Sequence, residues 1–349
     1  MITLPGLIDP HVHFRTPGQS YKEDFISGTK AAIAGGFTTV LDMPNNKLPI
    51  TSHQLLIEKK KLAKEKILCD IGFYFGSLGD NLDELAKVRK DVFGLKLYLN
   101  QTTGNFIIDK KNLLSIYDAW DKNLPILVHA EEDVIDLVIK VCKQTKKRTH
   151  ICHVSTVDEL KTVIAAKKKG LPITCGVTPH HLFLTEEDVK KLKSFGMVKP
   201  TLKTHKDVNF IWKNLKWIDV IESDHAPHTI AEKRSENPPF GVPGLETTLG
   251  LLLTACSQGK LTINDIIRLC HTGPKQCFDV LIHHNTRIIV DENEEWIVRG
   301  SQLFTKCKWS PFEGRTLKGK VKKVYIRNKL VFEDNKFLVK PGFAHVLSP

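Results

Sequence analysis

The 349-residue sequence has no apolar run near the ~20 residues that a membrane-spanning helix requires. Its first residues, Met1-Ile2-Thr3-Leu4-Pro5-Gly6, carry neither the basic stretch nor the apolar core of a secretion signal. No repeat, low-complexity tract or Ser/Gly/Pro-rich linker interrupts the chain. The eight cysteines include no C-x-x-C pair, which argues against a cysteine-only zinc site. Most of them lie in apolar stretches, as reduced core thiols do. These absences lead us to expect a cytoplasmic protein with no membrane partner. Acidic residues are also comparatively few: 39 Asp and Glu face 51 Lys and Arg, leaving a net charge of +12. Much of the surplus sits in lysine runs such as Lys59–Lys61 and Lys167–Lys169, on helical patterns whose lysine face is solvated. No zinc-finger spacing or RNP-like aromatic motif accompanies them, so no nucleic-acid partner is expected. The charge suits small anions instead.

What is present is alternation. Hydrophobic residues make up 41% and charged residues 26%, the balance of a globular chain. Strand-like runs at Gly6–Val12, Phe37–Met43, Cys69–Phe75, Gly94–Leu99, Pro125–Ala130, Thr149–Val154, Pro172–Thr178 and Ile218–Ser223 are mostly separated by helix-period stretches. Gly35-Gly36 and Gly170 stand where helix C-caps belong. Eight such units predict an α/β fold, a (β/α)8 TIM barrel, over residues 1–284. From residue 285 the pattern changes to short β-rich segments, expected as a small C-terminal β appendage (285–349) packed on the barrel. Two further helices are expected at Leu245–Ser257 and Ile263–Cys270.

Barrel enzymes carry their chemistry at the C-terminal ends of the strands, and polar residues collect there. The first strand contains His11 and runs into His13, two apart and so able to face one metal ion together. The fifth ends in His129, the sixth in His153 and the eighth in Asp224. Any one of these alone is more often a satisfied core residue; five at the same end of one barrel point to metal. Lys96 lies inside the apolar strand Gly94–Leu99, so its amine must be paired, neutral or modified. A neutral lysine amine also reacts with carbon dioxide to give a carbamate, an anionic oxygen ligand.

The motifs Leu4-Pro5-Gly6-Leu7-Ile8-Asp9-Pro10-His11-Val12-His13-Phe14-Arg15, Met43-Pro44-Asn45, Gly94-Leu95-Lys96-Leu97-Tyr98, His150-Ile151-Cys152-His153-Val154, Pro179-His180-His181, Ser223-Asp224-His225-Ala226-Pro227-His228-Thr229 and Pro238 to Glu246 occur in order along nearly the whole chain. This set resembles the metal-dependent amidohydrolases and, among them, the dihydroorotases. It is most similar to the dihydroorotase domain of the animal trifunctional pyrimidine-synthesis polypeptide. The resemblance implies reversible cyclisation of N-carbamoyl-L-aspartate to L-dihydroorotate at two Zn2+ per chain, bridged by carboxylated Lys96 and hydroxide. His11, His13 and Asp224 would hold one ion, and His129 and His153 the other, with Asp224 also the catalytic proton carrier. Substrate contacts would come from Arg15, Asn45, Lys199, His228, Phe240 and Gly241, and Thr102 and Thr103 would sit on a flexible closing loop. A homo-oligomer, or membership of a multienzyme polypeptide, also follows from the resemblance.

Three departures bear on this expectation, the mildest being Thr103 where animal relatives carry an aromatic on the closing loop. Animal relatives carry an acidic residue, a ligand proposed for a third metal, where this chain has Gly176. Two ions are therefore expected, and Cys152 reads as structural. Lys199 replaces an arginine or asparagine and offers a point charge without a planar fork. Two other readings stay open: a dihydropyrimidinase or allantoinase acting on a neutral ring, and a silent barrel kept as a scaffold. Arg15 and His228 favour an acidic substrate, and a scaffold has no physical need for six costly buried polar groups.

Overall fold

Runs rich in Val, Ile, Leu and Phe become strands when both their faces are buried, and here they become the staves of a barrel. The computed structural model describes residues 1–102, 106–121 and 123–349. Strand β1 (Ile2–Pro5) precedes the barrel strands β2 (Leu7–Val12), β3 (Phe37–Asp42), β4 (Asp70–Phe73) with its continuation β5 (Phe75–Gly76), β6 (Leu95–Tyr98), β7 (Ile126–His129), β8 (Thr149–Ile151), β9 (Ile173–Val177) and β10 (Val220–Ile221). Neighbours pair in parallel in the orders β2-β3-β4 and β5-β6-β7-β8-β9-β10. The ring closes at β2 and β10, where Val12 bridges His225 and the His13 N–H donates to the His225 carbonyl at 2.9 Å. The expected (β/α)8 barrel is the observed one.

Helices cover the outside. Phe25–Ala34 starts at Asp24, whose carboxylate accepts from the N–H groups of Ile26 and Ser27. Val157–Lys168 starts at a Thr156–Glu159 capping box. Inside, Ile8, Leu41, Leu127, Cys152 and Val220 pack with Phe93 and Phe278 into a plug, so the barrel is filled rather than hollow. Leu245–Ser257 is one helix as expected. Ile263–Cys270 is not: the helix Ile263–Ile267 passes into a π-helical turn at Arg268–Thr272. Pro274 has no N–H for the Cys270 carbonyl, which widens the turn there. Among the described residues no helix is long and apolar enough to cross a membrane.

The tail forms β11 (Arg287–Ile297), β12 (Thr316–Ile326), β13 (Lys329–Glu333) and β14 (Lys336–Phe337) in an antiparallel sheet. Its first two strands are longer than the short segments expected, at 11 residues each. The sheet also recruits the N-terminus, for β1 pairs with β11 and sets buried Leu4 opposite buried Ile288. A separate apolar cluster, with Val298, Trp309, Phe312 and Leu317, packs the tail segments against Val198, Val242 and Leu251.

Candidate active site

The segments that follow β2, β3, β6, β7, β8, β9 and β10 wall one cleft at the same end of the barrel. His11, His13, Arg15, Asn45, Tyr98, Thr102, His129, His153, Lys199, Asp224, Ala226, Phe240 and Gly241 line it. Eleven of these are residues singled out from the sequence. Lys96 and His228 stand just behind the lining, fully buried. Thr103 lies outside the described residues.

His11, His13 and Asp224 converge: Asp224 Oδ1 lies 3.0 Å from His13 Nε2 and 3.4 Å from His11 Nε2. Burial alone would raise the Asp224 carboxyl. The imidazoles of His11, His13 and His180 close by outweigh it and hold the carboxyl well below the usual range. Burial brings His13 down to about 3, so its imidazole is neutral; with its one proton on Nδ1 toward Asn45, Nε2 keeps the lone pair that a metal ion would take. Across the cleft His129 Nδ1 is 3.0 Å from His153 Nε2, and His129 Nε2 is 3.1 Å from Glu131 Oε1. His153 Nδ1 is buried without a hydrogen-bond partner. Burial and then His129 depress the His153 pKa, so two neutral imidazoles face each other. Arg15, His153 and Asp224 all adopt positive φ (59°, 40° and 44°). Such left-handed backbone at a non-glycine residue typically costs about 1–3 kcal/mol, and here it turns three functional side chains toward one point.

Lys96 projects from β6 with its Nζ 3.1 Å from Cys152 Sγ and 4.8 Å from the centre of the Tyr98 ring. Among the described residues no carboxylate pairs with it. Arg15 is also buried, with Nη2 3.2 Å from His228 Nε2 and Nε donating to the Pro227 carbonyl at 3.4 Å. His228 does not reach the cleft. With its proton on Nε2 it donates to the Phe240 carbonyl (2.9 Å), and its Nδ1 accepts from Lys22 (3.2 Å). Asn45 bonds His13 Nδ1 through its Oδ1 at 2.7 Å, so it orients a candidate ligand as well as lining the wall. His181 spans Thr178 Oγ1 and the Pro200 carbonyl, a supporting role, whereas His180 Nε2 is buried without a partner.

The amidohydrolase family model matches residues 2–280, and that span contains every residue of the cleft. The chain belongs to the amidohydrolase family. Relatives are similar over nearly all of this amidohydrolase. The "Multifunctional protein CAD" of Squalus acanthias is 44% identical over 346 residues, 99% of this chain, but the match spans only 15% of that protein's length. The "Dihydroorotase" of Pyrococcus horikoshii is 39% identical over 365 residues, covering 97% of this chain and 83% of its own. Among solved structures, the "Inactive dihydroorotase-like domain of Chaetomium thermophilum CAD-like multifunctional protein" superposes with a TM-score of 0.86. It is 26% identical, over 99% of both chains.

One residue of this amidohydrolase was invisible to motif reading. Glu222, outside every motif above, follows β10 and lies fully buried beneath the histidines. Its Oε2 is 3.1 Å from His11 Nδ1 and 3.5 Å from His150 Nε2, and its Oε1 accepts from the His153 N–H. A Cβ at Gly176 would fall 2.4 Å from Glu222 Oε1. The glycine thus makes room for a carboxylate arriving from the next strand, since β9 and β10 pair Gly176 with Val220. The lone signal was a glutamate two residues before Asp224 in an apolar strand. Among the described residues, three groups of donor atoms lie close enough for one cation: His11–His13–Asp224, His11–Cys152–His153 and His150–Cys152–Glu222. Cys152, read as structural from the sequence, belongs to two of them.

Proposed function

We propose that the protein is a dihydroorotase, interconverting N-carbamoyl-L-aspartate and L-dihydroorotate in de novo pyrimidine biosynthesis. The observation that carries this reading is a buried guanidinium, Arg15, in the wall of the cleft where His11, His13 and Asp224 converge. A planar fork suits a substrate carboxylate, which a neutral dihydropyrimidine or allantoin lacks.

The donor set fits two zinc ions. Neutral buried imidazoles, an ionised carboxylate, the unpartnered His153 Nδ1 and a buried lysine without a carboxylate are costly unless cations and a carbamate complete them. His11, His13 and Asp224 would hold one ion, His129 and His153 the other, with carboxylated Lys96 between them. Bound there, the pair would polarise the amide carbonyl and lower the pKa of a shared water. Arg15 anchors the substrate carboxylate, aided by Lys199 and by the Phe240–Gly241 wall. Asp224, held ionised, takes the proton of the attacking water and returns it to the departing ring nitrogen. Ring closure runs the same transfers backwards. Thr102, at the cleft, would belong to a loop that closes over the bound substrate.

In this reading residues 1–284 carry the chemistry and 285–349 support it, in the cytoplasm. The chain works as a homo-oligomer or as one unit of a multienzyme polypeptide. The zinc-loaded protein should close carbamoyl aspartate and open dihydroorotate far faster than it opens 5,6-dihydrouracil or allantoin. Preference for a neutral ring would transfer the reading to dihydropyrimidinase. No turnover at full zinc occupancy would make the barrel a scaffold, as inactive as the Chaetomium thermophilum domain is in name.

A further inference from the structure

Lys233 ends the short helix Ile230–Lys233 and is fully buried. Its ammonium meets no carboxylate among the described residues. It donates instead to three backbone carbonyls, of Pro239 at 2.9 Å, Gly241 at 3.2 Å and Met197 at 3.3 Å. Three N–H donors thus meet three acceptors on two separate segments. The Trp309 ring closes the remaining side, its centre 5.6 Å from Nζ. Burial brings the amine down to about 8, so it stays largely protonated at neutral pH.

Both segments that it ties lead into the cleft. Gly241 lines the cleft, and its N–H donates to the same Met197 carbonyl at 3.0 Å, which joins the two segments a second time. Two residues past Met197, Lys199 lines the cleft with its Nζ 5.4 Å from the centre of the Phe240 ring. Gly241 has a φ of 128°, and a Cβ there would fall 2.5 Å from the Ala226 carbonyl oxygen. The loop is therefore pressed against the strand end that carries Asp224, and Lys233 holds it there from behind. A methionine of the same length would fill the space at less cost than an ammonium without a counter-charge. What lysine adds is the bond to each of the three carbonyls.

We propose that Lys233 is a positioning residue of the substrate pocket, tying the 197–199 and 239–241 segments together so that Lys199, Phe240 and Gly241 present one fixed wall to the ligand. The identity of that ligand rests on the dihydroorotase reading; the tie itself does not. The test compares zinc-loaded wild-type protein with Lys233→Met and Lys233→Gln by amide hydrogen exchange and by steady-state cyclisation of carbamoyl aspartate. In Lys233→Met, exchange at residues 195–201 and 236–243 should rise about tenfold or more, with the other barrel peptides unchanged. The KM should rise about tenfold while kcat stays within about threefold, and Lys233→Gln, which keeps two donors, should fall between. If Lys233→Met does not fold, Lys233→Gln carries the same readings. Unchanged exchange in both segments would overturn the proposal, as would loosened exchange with an unchanged KM, or a kcat that falls as far as the KM rises. Inactive wild-type protein would remove the dihydroorotase reading, and the exchange result would then decide the role of Lys233 alone.

Discussion

Replacing Lys96 with methionine should move stability in opposite directions with and without zinc. The side chain is fully buried on β6, and among the described residues its amine has only the Cys152 thiol at 3.1 Å and the Tyr98 ring face for company. Burying an ammonium without a counter-charge costs several kcal/mol even after relaxation. A methionine fills nearly the same volume at no such cost. In chelator, Lys96→Met should therefore be about 1–3 kcal/mol more stable than wild type, or roughly 2–12 °C in Tm at the 2–4 °C per kcal/mol of a large domain. With zinc the order reverses. Wild type at a zinc concentration ~100-fold above Kd gains about 2.7 kcal/mol, and the variant, with no carbamate to share between ions, loses most of that gain. Scanning calorimetry in chelator, and in zinc with bicarbonate, reads both arms. A carbamate carbon signal with 13C-labelled bicarbonate should appear in wild type alone. A variant that is destabilised in chelator yet stabilised by zinc as strongly as wild type would refute the reasoning. It would mean that Lys96 is an ordinary structural residue.

Arg15→Ala should raise the KM for dihydroorotate about tenfold to a hundredfold, since a charge-assisted contact is worth ~1.5–3 kcal/mol; steady-state kinetics at saturating zinc checks it. Asp224→Asn should keep the fold by circular dichroism and lose ~10²-fold or more of turnover in both directions, because an amide can neither take nor return the proton. Gly176→Ala should push the Glu222 carboxylate off His11 and His153, as its Cβ would meet Oε1 at 2.4 Å. Metal affinity should then fall ~10–100-fold in a competitive chelator titration. Elemental analysis should find two zinc ions per chain, and anomalous scattering showing a third ion on His150, Cys152 and Glu222 would overturn that count.

Local patterns carried much of this protein. The run Phe37–Met43 is the strand Phe37–Asp42, and Leu245–Ser257 is a helix with the expected ends, because burial on two faces or one leaves its period in the chain. The candidate ligands were legible for the same reason. A strand end is a local feature, and His13, His129, His153 and Asp224 each sit just at or past one. Side chains whose partners lie on other strands were not. Glu222 looks like an anomaly in an apolar run until β9 sets Gly176 beside it and the barrel brings His11 from more than two hundred residues away. Asn45 has a motif yet no visible task until the closed ring aims it at His13. The pairing of β1 with β11 joins chain ends whose separate patterns say nothing of each other.

The sequence by itself determined the elements, their alternation and the ends at which chemistry collects, because hydrophobic period and polar punctuation are properties of neighbours along the chain. Only the tertiary structure decided what each polar group meets. Ring closure selects the partners of Lys96, Glu222 and Lys233, and the positive φ at Arg15, His153 and Asp224 is held by the packed barrel around them. Those are contacts across strands, and no period along a chain encodes the far side of a barrel.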